Sequence, residues 1–345
     1  MASHPDIGTR QEAIEQWIAA QAGAKATIRN LRPMAGGASQ EIWSLDLDLE
    51  GSGAPLELVL RADMGGSLLN ALTRGDEFRL LQIASRAGVK VPRPYWLCED
   101  TGLIGRSFYI TERVKGETIG RKIVRDESLA KARTVLAAGM GEELARIHSV
   151  TPENTDLSFL PPVDPAVPVG ERTAEHLTRL LDLFGEEPHP ALELGLRWLR
   201  ENSPPAGELS LVHGDFRIGN LMVGPEGLVA VLDWELTHVG DRYEDFAWPI
   251  VRFWRFGNNL KRLGGFADPR QMFDAYEQAT GRAVDTRRVH YWEVMGNAKW
   301  AIGARQQANR HLTGPQKSLE LASIGRRVPE MELEMLDLIE KGPRY

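Results

Sequence analysis

The sequence predicts an α+β chain in two lobes: a small N-terminal lobe with an antiparallel sheet and one key helix, and a larger, mainly helical C-terminal lobe. Three observations carry this. Short β-like runs with turn residues between them crowd residues 1–114, with one helical stretch among them. From Leu129 onward the apolar spacing becomes helical. A small β element carrying polar residues then interrupts the helical half near residue 213. The division is set near residue 115, giving lobes of 1–114 and 115–345.

The elements follow in order. "RQEAIEQWIAAQ" places Ile14, Trp17 and Ile18 on one helical face. Two β-like runs flank Gly36-Gly37-Ala38-Ser39, a glycine-containing hairpin. "LELVLRAD" is a third strand with Arg61 near its end. "RGDEFRLLQIASRAG" is a helix with Phe78, Leu81 and Ile83 inward and Gly88 as its stop. "VPRPYWLCED" and "SFYITERV" are two further extended runs. Val135, Leu136, Met140, Leu144 and Ile147 mark a long helix, the Pro-rich 151–171 a loop, and Ala174–Arg200 helix interrupted near Pro188 and Pro190. The strand "ELSLVH" then ends at the polar cluster "HGDFRIGN", and "LVAVLDWE" is a second strand ending in Asp233, the two joined through "VGPEG". A helix is expected to start at once after Asp233, with mostly helix to the end.

Bulk properties exclude several classes. The chain has 345 residues, 42% apolar and 26% charged, as an ordinary globular protein does. Its net charge of −7 points to neither nucleic acid nor a membrane surface. No signal segment and no apolar run of membrane-span length is visible, so a cytoplasmic location is expected. The single cysteine, Cys98, builds no disulfide framework and reads as a small buried apolar residue.

The chemistry lies between His213 and Asp245. Asp215 and Asn220, five apart, share a loop after one strand, and a return through "VGPEG" brings Asp233 beside Asn220. An amide and a carboxylate oxygen suit Mg²⁺, which keeps waters and phosphate oxygens as its other ligands. Asp215 is then left to orient an acceptor hydroxyl and take its proton, the parts that phosphoryl transfer needs. Taken singly, the three are equally well polar residues capping turns.

"HGDFRIGN…DWE" resembles the catalytic and metal-binding loops of the aminoglycoside phosphotransferase family, relatives of the protein kinases, and the likeness runs from about residue 28 to about 310. The resemblance implies a protein-kinase-like two-lobe fold and the cofactors ATP and Mg²⁺. It implies that Asp215 is the catalytic carboxylate and that Arg217 touches the γ-phosphate. Asn220 and Asp233 hold Mg²⁺ in this scheme, and Gly37, Ala38 and Ser39 meet the phosphates through backbone N–H groups. Arg61, held by Glu77, takes the α- and β-phosphates, and Glu112 to Val114 meet the adenine. His213 braces the loop, Asp241 caps the following helix, and Asp245 hydrogen-bonds the catalytic-loop backbone. The departure is Arg61, where the family has lysine; a guanidinium keeps a fixed charge and forks onto phosphate. The branch like the kinase domain fused to acyl-CoA dehydrogenase-like proteins tends to carry Arg there, with an "HGDFR"-type loop. A surface ion pair is the rival reading of Arg61 and Glu77.

Asp245 follows Asp233 by only twelve positions, too few for a peptide-docking segment, so the acceptor is expected to be a small molecule bearing a hydroxyl. Between Ile250 and Leu312 eleven basic residues face five acidic ones, a surplus that disfavours a polycationic drug or choline and favours an anionic metabolite, a hydroxyacyl-CoA first. The alternatives are an antibiotic phosphotransferase, a nucleotide-binding pseudokinase, for which Arg61 is the cue, and a metal-dependent hydrolase using His213, Asp215 and Asp233. Trp292 and Trp300 are expected in the core rather than on a substrate platform.

Overall fold

The computed structural model describes residues 6–34, 40–63, 72–183, 188–314 and 317–345. The chain divides into two compact units, one of Met1–Gly116 with Val229–Thr237, the other of Glu117–Leu228 with His238–Tyr345.

The first unit contains helix α1 (Gln11–Ala22), strands β1 (Ala26–Pro33), β2 (Gln40–Leu49) and β3 (Leu56–Asp63), helix α2 (Arg74–Arg86), strand β4 (Pro94–Cys98), a short helix α3 (Thr101–Ile104) and strand β5 (Phe108–Glu112). The five strands form one antiparallel sheet in the order β1-β2-β3-β5-β4. Strand periodicity decides what each face carries. Trp43, Leu45 and Leu47 of β2 and Leu58, Leu60 and Ala62 of β3 are buried with Ile14 and Ile18 of α1, so α1 covers that face. Arg61 falls between Leu60 and Ala62, on the opposite face, in register with Tyr109 of β5. α2 supplies Glu77 to this second face. Its first turn is fixed by Thr73, whose hydroxyl accepts from the Asp76 N–H at 3.1 Å and donates to the Asp76 carboxylate at 2.6 Å. Cys98 is buried, and burial raises its thiol pKa, so it is a packing residue.

The second unit is mainly helical: α4 (Gly120–Arg125), α5 (Ala130–His148), α6 (Val169–Asp182), α7 (Pro190–Glu201), the strands β6 (Ser210–Val212), β7 (Leu221–Gly224), β8 (Gly227–Val231) and β9 (His238–Gly240), then α8 (Tyr243–Ala247), α9 (Pro269–Thr280), α10 (Thr286–Leu312), α11 (Leu319–Gly325) and α12 (Val328–Lys341). The division falls inside β8, whose last residues belong to the first unit. α10 is the central element, its apolar residues packed among α6, α7 and α12. Trp292 is in this core, as expected, and Trp300 is partly buried beside it.

After Asp233 no helix starts at once. The chain first makes β9, which pairs antiparallel with β6, Leu211 opposite Val239. Three residues are too short to show as a period in the sequence, which is why this strand was not expected. Its effect is to fix the start of α8 against the strand that leads into the polar loop. Among the described residues no helix is long and apolar enough to cross a membrane.

Candidate functional site

β6 is wholly buried, and the chain leaves it through His213, Gly214 and Asp215 into a tight loop that ends at Asn220. A buried loop must find partners for its backbone N–H groups. Here Asp245, fully buried in the first turn of α8, accepts from the His213 N–H at 2.8 Å and the Gly214 N–H at 3.0 Å. Its Oδ2 also meets His148 Nε2 at 3.2 Å. Burial lowers the His148 pKa more than Asp245 raises it, so the imidazole is neutral and its Nε2–H donates. The scaffold role expected of Asp245 is therefore what its hydrogen bonds do. His213 braces the loop as expected, its Nδ1 accepting from the Asp215 N–H at 3.2 Å. Asp241 is not the N-cap expected of it: Arg242 is, without a side-chain cap bond, and Asp241, one residue earlier, accepts from the Tyr243 N–H at 3.1 Å while its other oxygen takes Arg288 and Trp292.

The Asp215 carboxylate is held from three sides. Arg217 Nε donates to Oδ1 at 3.0 Å, the Trp248 indole N–H donates to the same oxygen at 2.5 Å, and the Asn220 amide donates to Oδ2 at 2.5 Å. The amide N of Asn220 also reaches the Asp215 carbonyl at 3.0 Å. With its nitrogen committed twice, Asn220 keeps its oxygen for another partner. Gly219 permits the turn: its φ is +112°, and a Cβ there would lie 2.3 Å from Arg217 Nη1. The Arg217 guanidinium lies 4.0 Å from the Trp254 ring centroid, a cation–π contact that fixes its position.

The first unit carries its own charged cluster. Glu77 is buried, and Tyr109 donates its hydroxyl to Oε1 at 2.8 Å. Its nearest cation is Arg74 at 2.5 Å, while Arg61 stands 4.0 Å away. Arg74, also buried, reaches Asp63 at 3.0 Å. Burial pushes the Glu77 pKa up despite Arg74 and Arg61. Burial would lower the Arg61 pKa, but its neighbours Tyr109, Glu77 and Asp233 raise it. Asp233 thus acts electrostatically on Arg61 within this unit. It has φ +66°, a left-handed conformation that a non-glycine residue rarely adopts and that often marks a functional turn.

The residues singled out in the sequence are distributed as follows. Asp215, Arg217 and Asn220 converge in the second unit. Arg61, Glu77 and Asp233 converge in the first. Glu112 and Val114 are in the first unit at the end of β5. The Glu112 N–H donates to the Arg93 carbonyl at 2.8 Å and the Arg113 N–H to the Glu57 carbonyl at 2.9 Å, which leaves the Val114 amide as the group not used by these bonds. Gly37, Ala38 and Ser39 lie outside the described residues. Sequence reasoning missed Arg74 and Trp248.

The basic surplus between Ile250 and Leu312 has a structural explanation. Arg252 and Arg255 pair with Glu334, Arg282 with Glu208, Arg288 with Asp241 and Lys299 with Glu244, carboxylates from outside the counted segment. Arg262 pairs with Glu293, and Arg270 with Asp274 and Glu277. Most of the surplus is therefore neutralised inside the fold and says little about an acceptor.

Comparison with known proteins places these observations. The profile of the phosphotransferase enzyme family matches residues 30–291. Acyl-CoA dehydrogenase family member 10 of Mus musculus is 32% identical over 268 residues, 75% of this chain and 24% of the relative. Acyl-CoA dehydrogenase family member 11 of Pongo abelii is 32% identical over 274 residues, 75% of this chain and 34% of the relative. The chain thus spans about a quarter to a third of the length of these relatives. Among solved structures, a candidate aminoglycoside phosphotransferase from Ralstonia eutropha is 25% identical with a TM-score of 0.77, covering 96% of this chain and 99% of that one. A macrolide 2'-phosphotransferase from Brachybacterium faecium, 18% identical with a TM-score of 0.59 over 94% of this chain and 97% of that one, shares the fold.

Proposed function

The chain belongs to the phosphotransferase enzyme family and is a phosphotransferase with a hydroxyl acceptor, and from that premise we propose that it moves the γ-phosphoryl group of ATP to a small anionic metabolite, a hydroxyacyl-CoA first. The observation that carries the reading is the Asp215 carboxylate, bonded by Arg217, Trp248 and Asn220 on a loop locked by Asp245. A carboxylate fixed in this way orients an acceptor hydroxyl and takes its proton as the O–P bond forms. Arg217 supplies positive charge beside the reacting centre. In this proposal Arg61 holds the α- and β-phosphates, supported by Glu77, and Val114 offers its amide to the adenine.

Asn220 and Asp233 are the residues proposed to hold Mg²⁺. The donor chemistry fits: Asn220 has committed its amide nitrogen and retains an oxygen, and Asp233 offers a hard carboxylate. Among the described residues no three His, Cys, Asp or Glu side chains form a metal cage, and Mg²⁺ needs none when phosphate and water complete its shell. When bound, the ion neutralises phosphate charge. Nucleotide use is supported by a neighbouring spectinomycin phosphotransferase solved with ADP and an aminoglycoside 2'-phosphotransferase solved with GDP.

Support for the acyl-CoA acceptor comes from the relatives, named as acyl-CoA dehydrogenase family members. The paired basic residues of the second unit lend it no weight. An antibiotic acceptor is the second possibility for the same reaction, supported by the names of the structural neighbours. A pseudokinase is favoured by one feature: Arg61 is at 4.0 Å from Glu77, which holds Arg74 more closely. A coupled ADP-release screen with Mg-ATP over hydroxyacyl-CoAs, hydroxy acids, sugars and aminocyclitols separates these readings. The proposal expects turnover with an acyl thioester that Asp215→Asn lowers by orders of magnitude. Turnover with aminocyclitols alone moves the acceptor to the antibiotic class, and nucleotide binding without transfer to any acceptor leaves the pseudokinase.

A further inference from the structure

Building on the reading of Asp215 as the carboxylate that orients the acceptor, we propose that Trp248 is a positioning residue for transfer: its indole N–H fixes the plane of the Asp215 carboxylate. Trp248 follows α8 directly and is 4% exposed. Its ring packs against Trp254 at 5.7 Å and Trp300 at 6.2 Å between centroids, which accounts for the burial of an apolar surface. Packing does not account for the direction of the N–H. An indole has one donor and no acceptor, and this one meets Asp215 Oδ1 at 2.5 Å.

The neighbouring tryptophans make the contrast. The indole nitrogens of Trp254 and Trp300 are buried with no hydrogen-bond partner among the described residues. A tryptophan in this cluster can therefore be accommodated with its N–H unpaired, and Trp248 is the member whose donor is aimed at the proposed reacting group. Donors to Asp215 are also divided unequally. Oδ2 receives the Asn220 amide, whereas Oδ1 receives both Arg217 and Trp248. When the charge of Arg217 is shared with a phosphate, Trp248 is the second donor that keeps Oδ1 in place.

Trp248 is itself fixed. Lys299 Nζ lies 5.1 Å from its ring centroid and is paired with Glu244 Oε1 at 2.7 Å. Glu244 Oε2 in turn meets His238 Nε2 at 3.1 Å. A cation over the ring face draws on the π-density of the indole, which strengthens its N–H as a donor. On the other side α10 comes close at Gly296, where a Cβ would lie 2.7 Å from Val251 Cγ2 and 3.5 Å from Trp248 Cε3.

The test uses the full chain with Mg-ATP and a 3-hydroxyacyl-CoA, with transfer of the phosphoryl group to water, read as ADP release, as the acceptor-independent assay. Trp248→Phe keeps the ring and removes the N–H. Loss of a hydrogen bond to a charged group corresponds to about 10- to 100-fold in rate, and that fall in kcat is expected while the KM for ATP changes less than about twofold. In the Asp215→Asn background the same substitution should add less than about twofold, because its effect passes through Asp215. Trp292→Phe is the control for lost indole bonding, since Trp292 donates to a different carboxylate, Asp241, at 3.1 Å, and should leave kcat unchanged. Trp248→His, which retains a ring N–H, should recover part of the loss even if Trp248→Phe melts early. A Trp248→Phe kcat within about twofold of wild type, or an undiminished effect in the Asp215→Asn background, overturns the proposal. Wild-type turnover by Asp215→Asn alone is a different result, and it removes the underlying reading of Asp215.

Discussion

Asp245→Ala tests the locking of the catalytic loop without touching a reacting group. Asp245 has no exposed surface and satisfies three donors: the backbone N–H groups of His213 and Gly214 and the imidazole of His148. Truncation leaves two buried amides and the buried His148 Nε2–H without this acceptor. Each orphaned buried polar group costs about 1–3 kcal/mol, so the three predict a loss of about 3–9 kcal/mol, a large part of the roughly 5–15 kcal/mol that holds a typical domain together. Asp245→Asn keeps one acceptor oxygen and turns an NH₂ group toward a donor, so its loss should be about half as large. Urea unfolding at pH 7 measures both, and kcat measured below the transition should fall with loop order. If Asp245→Ala unfolds within about 1 kcal/mol of wild type, the two N–H bonds are not what holds the loop, and the reasoning fails.

Three further outcomes follow from the same geometry. Glu77→Ala strands the buried Arg74 and the Tyr109 hydroxyl; removing one partner of a buried pair costs about 3–5 kcal/mol, with Asp63 still near Arg74 to hold the value at the lower end. Glu77→Gln, which still accepts from Tyr109, should lose less in the same denaturation assay. Burial, with Arg262 and Arg344 nearby, pushes the His290 imidazole down to about 4 from 6.5. The unfolded chain then binds more protons than the folded one between those values, so stability falls as pH drops from 6.5 toward 4, by at most about 3 kcal/mol and less after screening. His290→Phe should flatten that slope in melting curves taken across the window. Trp248→Phe should lower kcat with the ATP KM nearly unchanged, as described above.

Much of the fold was legible because it is written in local periods. The alternation of Trp43, Leu45 and Leu47, and the placing of Arg61 between Leu60 and Ala62, follow from two-residue strand periodicity. The five-residue spacing of Asp215 and Asn220 survives in the structure as a direct hydrogen bond. Asp245 was legible through the family resemblance, which puts a carboxylate of the following helix on the backbone of the catalytic loop. Arg74 was not: one residue in the first turn of a helix looks solvated until tertiary structure buries it against Glu77 and Asp63. Trp248 sits in an aromatic-rich run, "FAWPIVRFW", that signals core and gives no hint of where an N–H points. The basic surplus carries less information than its count for the same reason. Its neutralising carboxylates, Glu208, Asp241, Glu244 and Glu334, come from elsewhere in the sequence, and a count within a window cannot see them.

The central claim is that Asp215 directs a phosphoryl group onto the oxygen of a small-molecule hydroxyl. The most direct measurement labels that oxygen. A 3-hydroxyacyl-CoA carrying ¹⁸O in its hydroxyl is incubated with Mg-ATP and the wild-type chain, and the product is examined by ³¹P NMR. The account predicts a phosphate monoester whose bridging oxygen retains the label, formed slower by orders of magnitude by Asp215→Asn. Label-free inorganic phosphate as the sole product, or the same ester formed equally well by Asp215→Asn, would contradict it.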